Sequence, residues 1–132
     1  MTQTPAEAAF SLLNKQQFIN LVTLRKNGET VRTPMWFAEK NGRIYMMTPQ
    51  DSGKIKRIRN NPNVQVGPAD RAGKPLGTTL AGKARILTDP QEILVAKYAL
   101  DDKYGLFKAI LDFFATVFMD IQRAWVEITP VE

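Results

Sequence analysis

Two Asn-Gly pairs divide the N-terminal third of the chain and restrict how it can fold. Asn27-Gly28 and Asn41-Gly42 each lie between runs that are rich in β-branched and aromatic residues. An Asn-Gly pair in this setting predicts a two-residue hairpin turn in which both central residues have positive φ. The sheet is therefore expected to begin with three consecutive antiparallel strands, over residues 18–25, 30–39 and 43–47.

The rest of the chain alternates between helical and strand patterns. Thr4-Pro5 predicts the start of an N-terminal helix, and Ser52 predicts the start of a short helix that ends at Asn60-Asn61-Pro62. Helices are also expected from Asp89-Pro90 to about residue 100 and, after a break at Tyr104-Gly105, over residues 106–119. The remaining strands are expected over residues 63–67, 78–87 and 122–129. Six antiparallel strands with helices between them predict one mainly β domain over residues 1–132, a six-stranded barrel with peripheral helices.

The residue inventory excludes several kinds of enzyme. The 132 residues include no cysteine and no histidine, so the chain has no thiolate nucleophile, no histidine base and no histidine or thiolate metal ligand. If the chain is an enzyme, a bound organic cofactor is expected to supply the reactive chemistry. The net charge of +5 suits a phosphorylated small molecule, a nucleic acid or an anionic membrane surface, and it equally suits a solvated basic surface.

The sequence contains no pattern typical of export or membrane insertion. The first ten residues lack a basic start followed by an apolar run. The apolar run over residues 106–119 is interrupted by Lys108 and Asp112 and is too short to span a bilayer. A cytoplasmic location without a membrane partner is therefore expected.

The segment that joins the third strand to the short helix has the composition of a phosphate site. Thr48 and Ser52 supply hydroxyl donors, Lys54 supplies a charge, and Gly53 lets the backbone approach a ligand closely. The first turn of a helix adds unpaired N–H groups and the positive end of the helix dipole. The same residues also suit an ordinary capped, basic surface helix. The spacing is not that of a nucleotide-hydrolysing phosphate loop.

Two further segments are candidates for ligand contact. In Arg32-Thr33-Pro34-Met35-Trp36, the proline indicates a sheet edge or a break in pairing, which would leave backbone groups free, while Trp36 is equally suited to the core. The basic run after Lys54 includes Lys56 and Arg57. This run can be a solvated face, a site for polyphosphate or polyglutamate, or a nucleic-acid surface, but it lacks the interleaved aromatic residues that stack on bases.

The order of motifs resembles that of the pyridoxamine 5′-phosphate oxidase-like split-barrel superfamily. Within it, the chain is most similar to the small actinobacterial-type branch that is described as coenzyme F420-dependent. The segments that carry the resemblance are Leu24-Arg25-Lys26-Asn27-Gly28, Thr33-Pro34-Met35-Trp36-Phe37, Arg43-Ile44-Tyr45-Met46-Met47-Thr48, Ser52-Gly53-Lys54, Asn60-Asn61-Pro62-Asn63-Val64, Gly82-Lys83-Ala84-Arg85-Ile86-Leu87, Lys103-Tyr104-Gly105 and Val126-Glu127-Ile128.

The resemblance implies a split barrel that binds FMN or coenzyme F420 and transfers hydride to or from a small organic substrate. It implies that the cofactor ring meets the backbone from Thr33 through Pro34 and Met35 to Trp36, with Arg32 nearby. It places the cofactor phosphate at Thr48, Ser52, Gly53 and Lys54, and lets Lys56 and Arg57 reach the anionic tail of F420. Oxidation of pyridoxine phosphate itself is not expected, because the arginine–histidine pair that holds the substrate in those oxidases has no histidine here.

The resemblance also implies a homodimer whose cofactor lies in a cleft between two barrels. Apolar residues in the predicted helix over residues 106–119 exceed what one buried face requires, which favours cover by a second subunit. These residues are Phe107, Ile110, Leu111, Phe113, Phe114, Val117 and Phe118.

Two other functions remain open at this point, and no catalytic residue is assigned. The chain can be a carrier of a flavin or a tetrapyrrole that does not turn it over, or a small barrel that binds nucleic acid through the basic helix, although a nucleic-acid partner is not expected. Tyr45, Tyr98 and Tyr104 are the candidate proton donors.

Overall fold

The computed structural model describes the backbone of residues 2–114 and 122–132 and the side chains of residues 2–105 and 122–132. In this part of the chain the structure has three helices and seven strands. In chain order they are α1 (Pro5–Leu13), β1 (Phe18–Leu24), β2 (Thr30–Trp36), β3 (Ala38–Lys40), β4 (Arg43–Pro49), α2 (Gly53–Asn60), β5 (Asn63–Ala69), β6 (Leu80–Ile86), α3 (Pro90–Phe114) and β7 (Arg123–Pro130).

The sheet closes on itself at Phe37. All strand pairs are antiparallel and the strand order is β2-β1-β5-β6-β7-β4-β3. The two edge strands are consecutive in the chain, since Phe37 alone separates Trp36 from Ala38. One stretch of chain therefore supplies both edges, and the sheet has to curl into a barrel.

The predicted mainly β barrel with peripheral helices is confirmed, but the expected number of six strands is one too low. Residues 30–39 form two strands instead of one. Trp36 is the last residue that pairs with β1, and Ala38 is the first that pairs with β4. The side chain of Phe37 is fully buried between them. The chain changes partner at this residue because its edge strand leaves one side of the barrel and joins the other.

The two Asn-Gly turns have different geometries. At the second turn Asn41 and Gly42 have φ of 54° and 78°, as the two-residue turn requires. At the first turn only Gly28 has positive φ, at 88°, and its N–H donates to the carbonyl of Arg25 at 2.9 Å. That arrangement is a three-residue loop with a glycine bulge, so the prediction of two positive φ values was wrong there.

The core has two parts. Alternate residues of the strands fill the barrel, and Phe10 of α1 with Ile55 and Ile58 of α2 complete that cluster. A second, smaller cluster lies between the outside of the barrel and α3, around Tyr45 and Leu100. Among the described residues, no helix is long and apolar enough to cross a membrane.

The predicted break at Tyr104-Gly105 is confirmed by the backbone. Gly105 has φ of 61° and ψ of −145°, which interrupts α3. The helix resumes and is described as far as Phe114. The apolar side chains that favoured cover by a second subunit lie outside the described side chains, so that prediction stays a prediction.

Candidate cofactor site

The first turn of α2 faces an arrangement of hydroxyl groups. Ser52 is the N-cap residue and has extended backbone angles, yet its side chain makes no capping hydrogen bond. Its Oγ instead lies 3.4 Å from the Oγ1 of Thr48, which is buried at the end of β4. Because the N–H groups of a first helical turn have no partner within the helix, this turn offers donors to a ligand.

Two cations lie beside these donors. The Nε of Arg57 donates to the Oγ1 of Thr23 at 2.6 Å, and Thr23 is fully buried on β1. The same guanidinium folds back over the start of α2, because a Cβ added at Gly53 would lie 2.8 Å from its Nη1. Lys54, which lies three residues before Arg57 on the same side of α2, is half-buried. Glycine at position 53 is thus what allows the guanidinium to approach the helix start.

The electrostatics of this cluster favour a bound anion. Burial, and then repulsion from Arg57, lowers the pKa of Lys54. Burial, and then repulsion from Arg25, lowers the pKa of Arg57. Within the described residues, neither Lys54 nor Arg57 is in a salt bridge. An anion placed among these groups would relieve both the repulsion and the loss of hydration.

Lys56 is exposed, and it points away from this cluster. Ile55 and Ile58 define the buried side of α2. At about 100° per residue, Arg57 lies only about 60° around the helix from Lys54, whereas Lys56 lies about 160° from Lys54, nearly on the opposite side. The structure thus brings together Thr48, Ser52, Gly53, Lys54 and Arg57, and separates Lys56 from them.

The predicted ring segment is divided between two faces of β2. Opposite residues of an antiparallel pair point to the same side of the sheet. Thr33 and Met35 pair with the core residues Leu21 and Ile19, so they face the barrel interior. The other three predicted residues, Arg32, Pro34 and Trp36, face outward. Pro34 lies on an edge strand, as its missing N–H predicted.

Two grooves lie on the outer face of the β2-β1-β5 part of the sheet. The first has a volume of about 430 Å³, and the residues that matter here are Asn20, Val22, Arg32 and Gln65. The second has a volume of about 640 Å³, and its walls include Phe18, Trp36 and Arg71. Both volumes are in the range of small-molecule sites. Loop residues between β5 and β6 contribute to both grooves.

Trp36 packs between two aromatic residues. Its ring stacks on Tyr104, with centroids 5.1 Å apart and an interplanar angle of 17°. On β1 the ring of Phe18 lies 6.3 Å from it at a tilt of 48°. Trp36 is therefore part of the groove wall and also part of the contact between β2 and α3.

Two of the three candidate tyrosines, Tyr45 and Tyr104, are weaker acids than a free tyrosine. Burial, with the nearby Glu127 carboxylate, raises the pKa of Tyr45 to about 12, and its hydroxyl donates to Glu127 at 3.2 Å. Burial also raises the pKa of Tyr104 to about 12. Tyr98 is exposed on α3. The structure gives no reason to name any of them as a catalytic residue.

Sequence reasoning missed two polar residues of β1. Thr23 binds Arg57 from inside the barrel, and Asn20 lines the first groove while being only 2 % exposed. The available signal was the presence of polar residues inside a strand that is otherwise apolar. Their partners are distant in the sequence, so the strand pattern alone did not show their roles.

The sequence matches the family described as pyridoxamine 5′-phosphate oxidase over residues 5–132. The chain belongs to that family. No protein of curated function matches the sequence.

Solved structures share the family's fold at low sequence identity. A heme storage protein of Vibrio cholerae, HutZ, is 12 % identical with a TM-score of 0.69, over 100 % of this chain and 92 % of that one. An FAD-binding protein of Mesorhizobium loti is 17 % identical with a TM-score of 0.66, over 100 % and 91 %. An F420 reductase is 21 % identical with a TM-score of 0.58, over 99 % and 97 %. At these identities the likeness shows the split-barrel fold.

Proposed function

We propose that this chain binds FMN or coenzyme F420 and transfers hydride between that cofactor and a small organic substrate. The observation that carries the proposal is the cluster at the start of α2. There, Ser52 leaves the first turn uncapped, and Lys54 and Arg57 are partly buried without a carboxylate partner among the described residues. This donor set fits a phosphate.

Each residue of the cluster has a distinct part in holding that phosphate. The hydroxyls of Thr48 and Ser52 and the N–H groups of the first turn donate hydrogen bonds, and Lys54 adds a full charge. Arg57 is held in place by Thr23, which orients its guanidinium before any ligand binds. The open edge of β2 supplies backbone groups beside the ring. The bound ring supplies the hydride chemistry, and the protein's share is binding, orientation and exclusion of water.

We propose further that the protein acts as a homodimer that packs through the outer face of β2, β1 and β5. The principal helix contacts lie elsewhere, since α1 and α3 pack on β3, β4 and β7, and α2 packs on β1 and β6 through its buried isoleucines. The two grooves on this face support a shared cleft. Light scattering that gives a monomer mass at micromolar concentration would contradict the dimer.

The residue inventory supports a flavin over a heme. Heme-binding and FAD-binding proteins share this fold, so the fold alone does not choose between them. Histidine and cysteine, which commonly ligate heme iron, are both absent from the sequence. A phosphate site of the kind described above is a requirement of FMN and F420, and is of less use to a tetrapyrrole.

The test is a direct comparison of ligands on the purified protein. We expect FMN, coenzyme F420 or both to bind with micromolar or tighter affinity, as measured by the change in their fluorescence. The bound cofactor should be reduced or reoxidised by a substrate from a panel of small organic acceptors. Retention of hemin in preference to both cofactors would support a tetrapyrrole carrier instead. Tight, salt-sensitive retention of DNA without cofactor binding would support a nucleic-acid-binding barrel.

A further inference from the structure

The outer groove contains a buried polar atom without a partner. Asn20 lies in the middle of β1 and is 2 % exposed, and its Nδ2 donates to the carbonyl of Gly73 at 2.9 Å. Its Oδ1 is fully buried, and no hydrogen-bond donor of the described residues reaches it. A buried acceptor left unpaired destabilises a fold, because it has lost its hydrogen bonds to water without replacing them. The unpaired Oδ1 of Asn20 therefore needs a structural or functional explanation.

The surroundings of Asn20 indicate what would pair with that oxygen. The groove of about 430 Å³ is lined by Asn20 and Val22 of β1 and by Arg32 of β2. Gly67 lies opposite Asn20 on β5 and adds no side chain to the floor. The exposed guanidinium of Arg32 makes no hydrogen bond or ion pair within the described part of the chain. The groove thus offers one buried acceptor, one flexible cationic donor and an apolar surface between them.

A ligand that matches this groove is flat and carries an N–H donor beside a carbonyl acceptor. The pyrimidine edge of a flavin or deazaflavin ring has this pattern, because its N3–H lies between two carbonyl groups. We propose that Asn20 recognises the pyrimidine edge of the cofactor ring, with Oδ1 accepting from N3–H and Arg32 donating to a ring carbonyl. This inference rests on the proposed function and names the residue that positions the ring.

The groove and the phosphate cluster are close in the register of the sheet. Arg32 pairs with Val22, and the adjacent residue Val31 pairs with Thr23, which holds Arg57. The two sites lie on opposite faces of β2, whose outer edge is open. A ligand with a phosphate at one end and a ring at the other would cross that edge. Binding also requires Gly73 to move off the Asn20 oxygen, since a Cβ at Gly73 would lie 3.4 Å from it.

The test uses riboflavin, which has the ring but no phosphate, and its N3-methyl derivative, which lacks the N3–H donor. We expect the wild-type protein to bind riboflavin about tenfold more tightly than N3-methylriboflavin, the difference that one buried hydrogen bond gives. In Asn20→Leu the riboflavin affinity should fall about tenfold, and the preference over the methylated ring should disappear.

A matched control separates recognition from the loosening of the loop. The carboxylate of Asp70 accepts from the N–H groups of Ala72 and Lys74, so Asp70→Ala loosens the same loop and leaves Asn20 in place. This variant should keep the preference for riboflavin. If Asn20→Leu does not fold, the comparison of the two ligands on the wild-type protein still decides.

The outcomes distinguish this inference from the proposed function. Equal binding of riboflavin and N3-methylriboflavin by a wild-type protein that binds FMN overturns the role of Asn20 alone. Failure to bind FMN and F420 overturns both. Loss of the preference in Asp70→Ala as well as in Asn20→Leu would assign Asn20 to loop anchoring and overturn the inference.

Discussion

The hydroxyl of Tyr104 lies 2.9 Å from the backbone nitrogen of Phe37 and 2.6 Å from the carbonyl oxygen of the same residue. Phe37 is where the chain leaves β2 and enters β3, so neither sheet edge supplies partners for its backbone groups. The hydroxyl from α3 satisfies them instead, and the Tyr104 ring stacks on Trp36. The point where the barrel closes is thus fixed by a residue 67 positions further along the chain.

We expect Tyr104→Phe to lower the free energy of unfolding by about 1–3 kcal/mol, because the buried N–H of Phe37 loses its partner. Denaturant titration followed by circular dichroism measures the change. Tyr98→Phe is the matched control, since Tyr98 lies on the same helix and is exposed. Loss of the Tyr98 hydroxyl should leave the free energy of unfolding unchanged. Equal stabilities of Tyr104→Phe and the wild-type protein would contradict the role of the hydroxyl.

The environment of Lys103, which precedes Tyr104, should make the protein more stable as the pH becomes alkaline. Its ammonium group donates to the carbonyl of Gln16 and lies 3.4 Å from the centre of the Phe37 ring. Burial lowers its pKa to about 8, against the opposing effect of the Glu39 carboxylate. In the unfolded chain a lysine has a pKa of about 10.4. Between these values the unfolded state binds more protons, so the free energy of unfolding should rise as pH increases from about 8 to about 10.

The free energy of unfolding should rise by about 1–2 kcal/mol over this pH range, after allowance for solvent screening. It can be measured by urea titrations at pH 7.5 and 9.5, a window that contains no histidine or cysteine titration. The raised pKa values of Tyr45 and Tyr104 act in the opposite direction, but only above about pH 10. Lys103→Met should remove most of the rise, and only the smaller contribution of Lys54, whose pKa burial also lowers, should remain. An undiminished rise in Lys103→Met would assign it to another group.

Local pattern was sufficient for most of the fold and insufficient where the chain changes partner. The capping residue Thr4, the turn at Asn41-Gly42 and the break at Gly105 depend on a few adjacent residues, and each is where the sequence predicts it. The division of residues 30–39 into two strands depends on barrel closure and on Tyr104. Both are properties of the tertiary structure, and a continuous run of strand-forming residues does not reveal them.

The candidate site shows the same limit. Thr48, Ser52, Gly53 and Lys54 are close in sequence, so the strand-to-helix junction predicts that they lie together. The division of residues 32–36 between two faces follows from strand alternation once the pairing with β1 is known. The contribution of Asn20 depends on a groove formed with β2, β5 and the loop after β5. No short segment of sequence contains that information.

Lys54→Ala should weaken FMN binding about 10- to 100-fold, because one charge-assisted hydrogen bond to the phosphate is lost. Its fold should be intact, because Lys54 is only half-buried and forms no side-chain hydrogen bond or salt bridge with the other described residues. Fluorescence titration with FMN measures the affinity. Lys56→Ala is the matched control, because Lys56 is exposed on the same helix and points elsewhere; it should bind FMN as the wild-type protein does. Unchanged affinity in Lys54→Ala would remove the phosphate from this site.

Variants of Lys56 and Arg57, which lie on different sides of α2, test whether the protein prefers FMN or coenzyme F420. We expect a preference for F420 through contact between its anionic tail and the exposed Lys56, since FMN has no such tail. Arg57 lies over the first turn of α2 and is bound to Thr23, so we expect it to bind the phosphate that both cofactors carry. Lys56→Ala should therefore reduce F420 affinity and leave FMN affinity unchanged, while Arg57→Ala should weaken both.

The double variant Lys56→Ala/Arg57→Ala should lose most of the preference for F420. A run of basic residues is most often a solvated surface without a ligand. If that is so here, the double variant should bind both cofactors with the same relative affinity as the wild-type protein. If FMN binds as tightly as F420 to the wild-type protein, or if the double variant keeps the preference, Lys56 has no part in ligand binding. Side-by-side titrations at two salt concentrations sharpen the comparison, because the contribution of an exposed lysine to tail binding should diminish as ionic strength rises.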